Sequence, residues 1–596
     1  MSDRVSFLDE LRSGRLRWDL IHPFPRQDPA DLAAGDSAAA RLRDLLAEQV
    51  DPDELDSTRT LPRGLVPALH AGGFLAMTVP SADGGLGLSA FNTFRLLETA
   101  AARSASVGML LSWQNTLGIG AFLELIGPGP LRDLVVARVA AGAVLGFGDT
   151  EPAGAANAAR DTVAVPTGDG SGYLLSGVKL FTGNGSMADL ITVSATVRGA
   201  PDGGTNGGTN GGAGGSSSGE RIGMFLVDTA SDGFTPLGRH DLVGLNGSPL
   251  GAFRMDRVRV PAQHAIISPD RSFRALPQVA RLTALARMFI TVTPPLAAAR
   301  SCLSWSREFL GTRRVNGRAL SSYESMQHRL ATSVAEVFAV DSVVRWCLLG
   351  GGLPLPELTA AKNIGTVTSW RVIERTISLL GGEGAETAQS KASRGAPALP
   401  VERAWRDARS LRIAGGVDFN IDMRAAWSGI FEPIYADGAG RAARDEPPPA
   451  PQPPAPPPPA PQPPALAALS AANRRNQEYV GAQVGELRSR CLRLAAAHPP
   501  GELAERQETL ITVNRLADEL FTMSVVLARV AGRVERAPGD GGCPVQGLAE
   551  VYCAGARVRL ARLWAALDAA GDGDRAGYAG LCQAWMDGNL AVELRE

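Results

Sequence analysis

Ser176-Gly177-Val178-Lys179-Leu180-Phe181-Thr182-Gly183-Asn184-Gly185 is the stretch on which the reading of the fold turns. It closes a run, GYLLSGVKLFTGN, that is rich in Val, Leu, Phe and Thr and ends in turn residues, the composition of a β-strand. Similar short runs flank it: VAVPTG before it, then DLITVSATV, IGMFLVD and GAFRMDRVRVP, which ends at Pro261. Together they predict a small β-barrel or sandwich domain over residues 146–265. Gly199 to Glu220, with TNGGTNGG and GGAGGSSSG, cannot bury apolar surface and reads as a flexible hairpin insertion.

Outward from this segment the pattern is helical on both sides. Ala38–Val50 and Phe91–Ala105 carry apolar residues at helical spacing, so residues 1–145 read as an N-terminal helical domain. Gly85-x-Gly87 lacks the strand and βαβ context of a dinucleotide loop and reads as a turn between helices. Ala284–Phe309, Tyr323–Leu349 and Leu358–Leu380 are long periodic stretches, the mark of a four-helix bundle over 266–440. A proline-rich run from Glu446 to Ala465 fixes an extended linker over 441–465. Residues 466–596 read as a further helical domain. The class is α+β, in the order helices, β-domain, helices, linker, helices.

Composition narrows the function. At 596 residues the chain is too long for one core. A net charge of −2 with dispersed basic residues offers no face for nucleic acid. Six scattered cysteines, none at CxxC or zinc-ligand spacing, read as reduced thiols and predict no metal site. The charged N-terminus lacks a signal-peptide core, no run of 18 apolar residues is present, and the expected location is cytoplasmic.

Six strings in order carry a family resemblance. They are Asp149-Thr150-Glu151-Pro152, Ser176–Gly185, Gly244-Leu245-Asn246-Gly247-Ser248-Pro249, Tyr323–Ala331, Leu380-Gly381-Gly382-Glu383-Gly384, and Pro400-Val401-Glu402-Arg403-Ala404-Trp405-Arg406-Asp407. On this architecture the chain resembles the acyl-CoA dehydrogenase family over about residues 5–430. Its last domain is similar to the extra helical domain of the very-long-chain members.

The resemblance implies FAD and an acyl thioester, acyl-CoA or acyl-ACP (acyl carrier protein). A carboxylate would remove the α-proton while the flavin takes the β-hydride. It assigns Phe147, Asp149 and Thr150 to the flavin edge, Phe181, Thr182 and Gly183 to the ring face, and Arg313, Gly381 and Gly382 to the pyrophosphate and ADP part. Phe181 stands where most members have Trp. Gly183 stands where they have a hydroxyl residue, a loss for which Thr182 is the expected substitute. Ala155-Ala156-Asn157 replaces a Gly-Ser-Asp, and Ser378 replaces a glutamine.

The largest departure is the base. The usual glutamate position falls on Gly415, and the alternative helix, Arg281 to Pro295, holds no acid. Asp418 is the nearby candidate base, with helix capping as its competing role. Three functions stay open: dehydrogenation of an acyl thioester, with an electron-accepting flavoprotein or oxygen; a flavin-dependent monooxygenase; and a non-catalytic subunit pairing with an active paralogue. A homodimer or heterodimer is implied. The stretch Leu510–Val530 is amphipathic, and packing within the protein is expected over peripheral membrane contact.

Overall fold

The computed structural model describes residues 5–118, 128–156, 160–199, 220–269, 277–437, 464–536, 544–570 and 572–589. Most of the Gly-rich insertion, most of the proline-rich linker and Asn157 lie outside them. The chain forms two compact units. One runs from Pro25 to Val417; the other joins Val5–Phe24 to the chain from Asp418 onward.

In the first unit, α2 (Pro29–Gln49) starts on an Asp28 cap followed by proline at its first position. It packs against α4 (Ala90–Arg103), which follows α3 (Leu65–Ala71) and leads into α5 (Ala105–Trp113). α5 continues in wide turns to Gly118, and α6 (Pro130–Ala140) completes the helical N-terminal part. A short helix, α1 (Phe7–Arg12), precedes these and belongs to the other unit.

The middle part is one mixed eight-stranded sheet of order β6-β7-β3-β2-β4-β5-β8, with β1 pairing parallel to β4. The strands are β1 (Leu145–Gly148), β2 (Val163–Pro166), β3 (Gly172–Thr182), β4 (Leu190–Val197), β5 (Arg221–Asp228), β6 (Phe234–Arg239), β7 (Gly251–Pro261) and β8 (Ala265–Ile267). Among the described residues the path is open, with β6 and β8 at its two ends. Leu175, Val193, Phe225 and Phe253, from four different strands, nevertheless share one core, so the sheet buries its apolar face on itself. A register shift between Lys179 and Thr182 marks a bulge at the end of β3.

The helical bundle that follows holds α7 (Pro277–Thr312), α8 (Glu324–Leu349), α9 (Leu355–Leu380) and α10 (Val401–Leu411). α7 packs on α9, α4 and α5. Among the described residues, Val279–Thr312 alone is long and apolar enough to cross a membrane, but 78% of its most apolar window is buried in the fold, as in a core helix.

The second unit is helical: α1, α11 (Asp418–Ala426), α12 (Ala471–Ala497), α13 (Gln507–Val534), α14 (Pro544–Ala569) and α15 (Asp572–Met586). α13 is its core helix, with α11, α12 and α14 around it. The apolar face of Leu510–Val530 is thus used within the unit. The chain re-enters this unit at Asp418, inside the stretch expected as one bundle to residue 440. The reason is packing: Asp422 on α11 accepts from Arg515 at 2.8 Å and from Asn514 at 3.0 Å, both on α13. None of the cysteines among the described residues forms a disulfide.

Candidate functional site

The ends of β1 and β3 bring one group of predicted residues together. Phe147 and Gly183 exchange two backbone hydrogen bonds, each 3.1 Å, and the Leu180 amide donates to the Thr150 carbonyl at 2.9 Å. The Asp149 carboxylate is committed to structure. It accepts from Arg160 Nε at 2.9 Å and from Ser194 Oγ at 2.5 Å. Beneath it Lys179, fully buried, donates to Glu151 at 2.8 Å and to the Asp149 carbonyl at 3.2 Å. Glu151 also accepts the amides of Asp161 and Thr162 at 2.6 and 2.8 Å. Burial pushes both groups toward neutrality. In Glu151 the hydrogen bonds from Lys179 and Thr162 outweigh it and hold the carboxyl below its ordinary range, whereas burial prevails in Lys179 and lowers its amine.

Phe181 is half exposed and holds a left-handed backbone, φ 48°. Its ring stacks on His240 at 4.4 Å and 23°, and its amide donates to His240 Nε2 at 3.1 Å. That bond places the proton of the neutral imidazole on Nδ1. Thr182 turns the other way. It is fully buried, and its hydroxyl, which has no hydrogen-bond partner among the described residues, lies beside Gly148. Its hydroxyl is therefore turned into the fold rather than exposed beside Phe181. Gly183 is held small by Trp113: a Cβ there would stand 2.6 Å from the indole. Trp113 joins Met109, Leu245, Ala286, Ile290 and Leu411 in one apolar cluster, with Ala414 at its edge.

A second group forms where α9 ends. Gly381 has φ 61° and ψ −137°, and a Cβ at Gly381 or Gly382 would meet nothing within 4 Å. Arg313, exposed and 5.9 Å from the Phe309 ring centroid, reaches Glu383 at 3.5 Å, next to these glycines. Among the described residues no hydrogen bond or ion pair joins this group to the Phe147–Gly183 group.

The loop after α10 is tied down from below. Buried Lys362 donates to the carbonyls of Arg412 at 3.0 Å and Gly416 at 2.8 Å. Gly415 has φ 68°, and a Cβ there would stand 2.9 Å from Arg287 Cγ. A side chain at this position would be strained by the backbone conformation and would require Arg287 to shift. Asp418 opens α11, is buried, and accepts the Phe419 amide at 2.9 Å. Its carboxylate is thus engaged at the start of that helix.

Three domain models of one family match the chain in order. They are acyl-CoA dehydrogenase N-terminal domain over residues 36–143, middle domain over 146–258 and C-terminal domain over 279–422. The chain belongs to the acyl-CoA dehydrogenase family. A probable acyl-CoA dehydrogenase, FadE10, of Mycobacterium tuberculosis is 31% identical over 419 residues, covering 70% of this chain and 61% of the relative. The human mitochondrial very long-chain specific acyl-CoA dehydrogenase is 24% identical over 447 residues, 72% of this chain and 63% of that protein. The chain thus spans less than two thirds of the length of these curated relatives. An acyl-CoA dehydrogenase complexed with FAD from Bacillus anthracis superposes with a TM-score of 0.70 at 16% identity, covering 96% of this chain and 94% of that one. Butyryl-CoA dehydrogenase from Megasphaera elsdenii gives 0.57 at 22% identity, over 68% of this chain and 98% of its own.

The family's flavin meets fitting residues here. Phe181 offers a half-exposed flat ring, the Phe147–Gly183 pair offers main chain, and the Gly381–Gly382 shelf beside Arg313 leaves open space next to a guanidinium. A guanidinium is a sound pyrophosphate anchor. One misfit is at position 183, where Trp113 fills the side-chain space.

Proposed function

We propose that this chain binds FAD and carries out α,β-dehydrogenation of an acyl thioester, borne by CoA or by an acyl carrier protein. The observation that carries the proposal is the main-chain platform of Phe147 and Gly183 beside the exposed Phe181, within a chain of this family. Bound FAD would supply the hydride acceptor for the acyl β-carbon. Phe181, backed by His240, would hold one ring face, and the backbone from Phe147 to Thr150 would run along its edge. Arg313, Gly381 and Gly382 would meet the pyrophosphate and ADP part. Among the described residues no hydrogen bond or ion pair joins the two groups, which is compatible with a site completed in a dimer, homomeric or with a paralogue. Asp418 is the candidate base, with one carboxylate oxygen accepting the Phe419 amide. Electrons would leave to a flavoprotein or to oxygen.

The closure of Gly415 against Arg287 favours a second reading. In it the chain does not abstract the proton and serves as a flavin monooxygenase or as the non-catalytic partner of an active paralogue. The test is the anaerobic visible spectrum of the isolated chain with acyl-CoA and with acyl carrier protein thioesters. Bleaching of the long-wavelength flavin band supports dehydrogenation, and its loss in Asp418→Asn assigns the base. Bound flavin that does not bleach moves the reading to the monooxygenase. A chain that holds no flavin moves it to the partner subunit.

A further inference from the structure

A cavity of about 610 Å³ lies between α2, α4, α7 and α8, and it shares no residue with the flavin positions or with the Trp113 cluster. Its floor is apolar: Leu46, Phe94, Ala297 and Val344 are each buried. Its walls carry five arginines against two carboxylates, Glu98 and Asp341. The carboxylates are already used. Arg300 Nε bonds Glu98 at 2.6 Å, and its NH2 bonds Asp341 at 2.5 Å. Arg345 bonds Asp341 at 2.8 Å and lies 5.0 Å from the centre of the Phe91 ring. Arg95 is paired outward with Asp36.

Two cations are left over. Arg103 donates twice to one neutral acceptor, the Val50 carbonyl, at 2.9 and 2.6 Å. That contact fixes the guanidinium, and the carboxylate that feels its charge, Asp51, lies outside the lining of the cavity. Arg43 is exposed on α2, and among the described residues neither it nor Arg103 forms a salt bridge. A cavity of this size, with an apolar floor and a few placed polar groups, has the form of a small-molecule site. Low-dielectric walls strengthen the field of the surplus charge inside it.

We propose that this cavity is a second ligand site, for an amphiphilic anion with an alkyl body and an oxyanion head. The alkyl body would lie on Leu46, Phe94 and Val344, and the carboxylate or phosphate head would face Arg43 and Arg103. A guanidinium matches either head, so the two sources are separated by experiment.

The test is isothermal titration of the full chain with decanoate, decyl phosphate, decanol and inorganic phosphate. One of the two decyl anions should bind at one site, at least tenfold tighter than decanol and than inorganic phosphate, and the tighter anion names the head. Arg43→Gln alone, an exposed change that spares folding, should weaken it about tenfold, and Arg43→Gln with Arg103→Gln further. Absence of binding by either anion overturns the proposal. So does decanol or inorganic phosphate binding as tightly, or anion binding unchanged in both variants, which would place the ligand elsewhere in the molecule.

Discussion

Two buried polar networks, one in each unit, respond to protons in opposite ways. Under β3, Lys179 and Glu151 neutralise each other, and Glu151 is further satisfied by two backbone amides. In the second unit, Asn514 Nδ2 stands between two carboxylates, donating to Asp422 at 3.0 Å and to Asp518 at 3.1 Å. Arg12, 502 residues away in sequence, donates to Asn514 Oδ1 at 2.9 Å. Burial, reinforced by Asp422, pushes the Asp518 carboxyl up to about 7. The first network is an ion pair with its complement; in the second, burial and a neighbouring carboxylate leave Asp518 reluctant to ionise.

The sharpest way to break the comparison is Lys179→Met. It leaves Glu151 buried without its cation and should cost about 3–5 kcal/mol, read as a lower urea midpoint. Replacing both partners, Glu151→Leu with Lys179→Met, should recover much of that loss. An unchanged midpoint in the single variant would show that the pair is not the keystone of the middle domain. Next is Asn514→Leu, which takes a donor from Asp518 and one from Asp422, the latter keeping Arg515, and should cost about 1–3 kcal/mol, read by hydrogen exchange along 507–534.

The pH dependence follows from the directions of the two shifts. Asp518 has a folded value of about 7 against an ordinary 3.8. Between these values the folded state binds more protons, so this group's stabilisation is complete below about 4 and is lost as pH rises through 7. Glu151 is shifted down from 4.5, so its contribution is present above that value and is lost as pH falls through the folded one. Exchange protection in α13 should therefore fall between pH 5.5 and pH 8, and Asp518→Asn should remove that fall and protect α13 at pH 8. A wild-type profile that stays flat would mean that Asp518 is not proton-linked. The smallest effect is expected at the exposed pair of Glu386 and Arg394, where Glu386→Gln should leave both readouts unmoved at neutral pH.

Local pattern made the elements legible. The run through Ser176–Gly185 is β3 and its turn, and the long periodic stretches are α7, α8 and α9. What local pattern lacks is distance. Nothing near Arg12 signals that α1 joins helices beyond residue 418, because the partner lies 502 residues on. The sites divide the same way. Phe147 and Gly183 were matched by motif and meet in space. The side on which Thr182 falls depends on the bulge after Lys179, which composition does not reveal. Trp113 against Gly183, and Arg287 against Gly415, were missed. Each is a large residue filling a space left by a small one, and the only sequence signal is a pair of departures read together. His240 behind Phe181 had no signal at all.

The contact between Gly415 and Arg287 also bears on redesign. A glutamate placed at 415 would meet a left-handed backbone and a neighbour 2.9 Å from its Cβ. That backbone costs a residue with a Cβ about 1–2 kcal/mol, and the Arg287 side chain would have to withdraw as well. Installing an acid there is therefore a task for two coordinated changes, one in the loop and one on the facing helix, rather than for a single substitution.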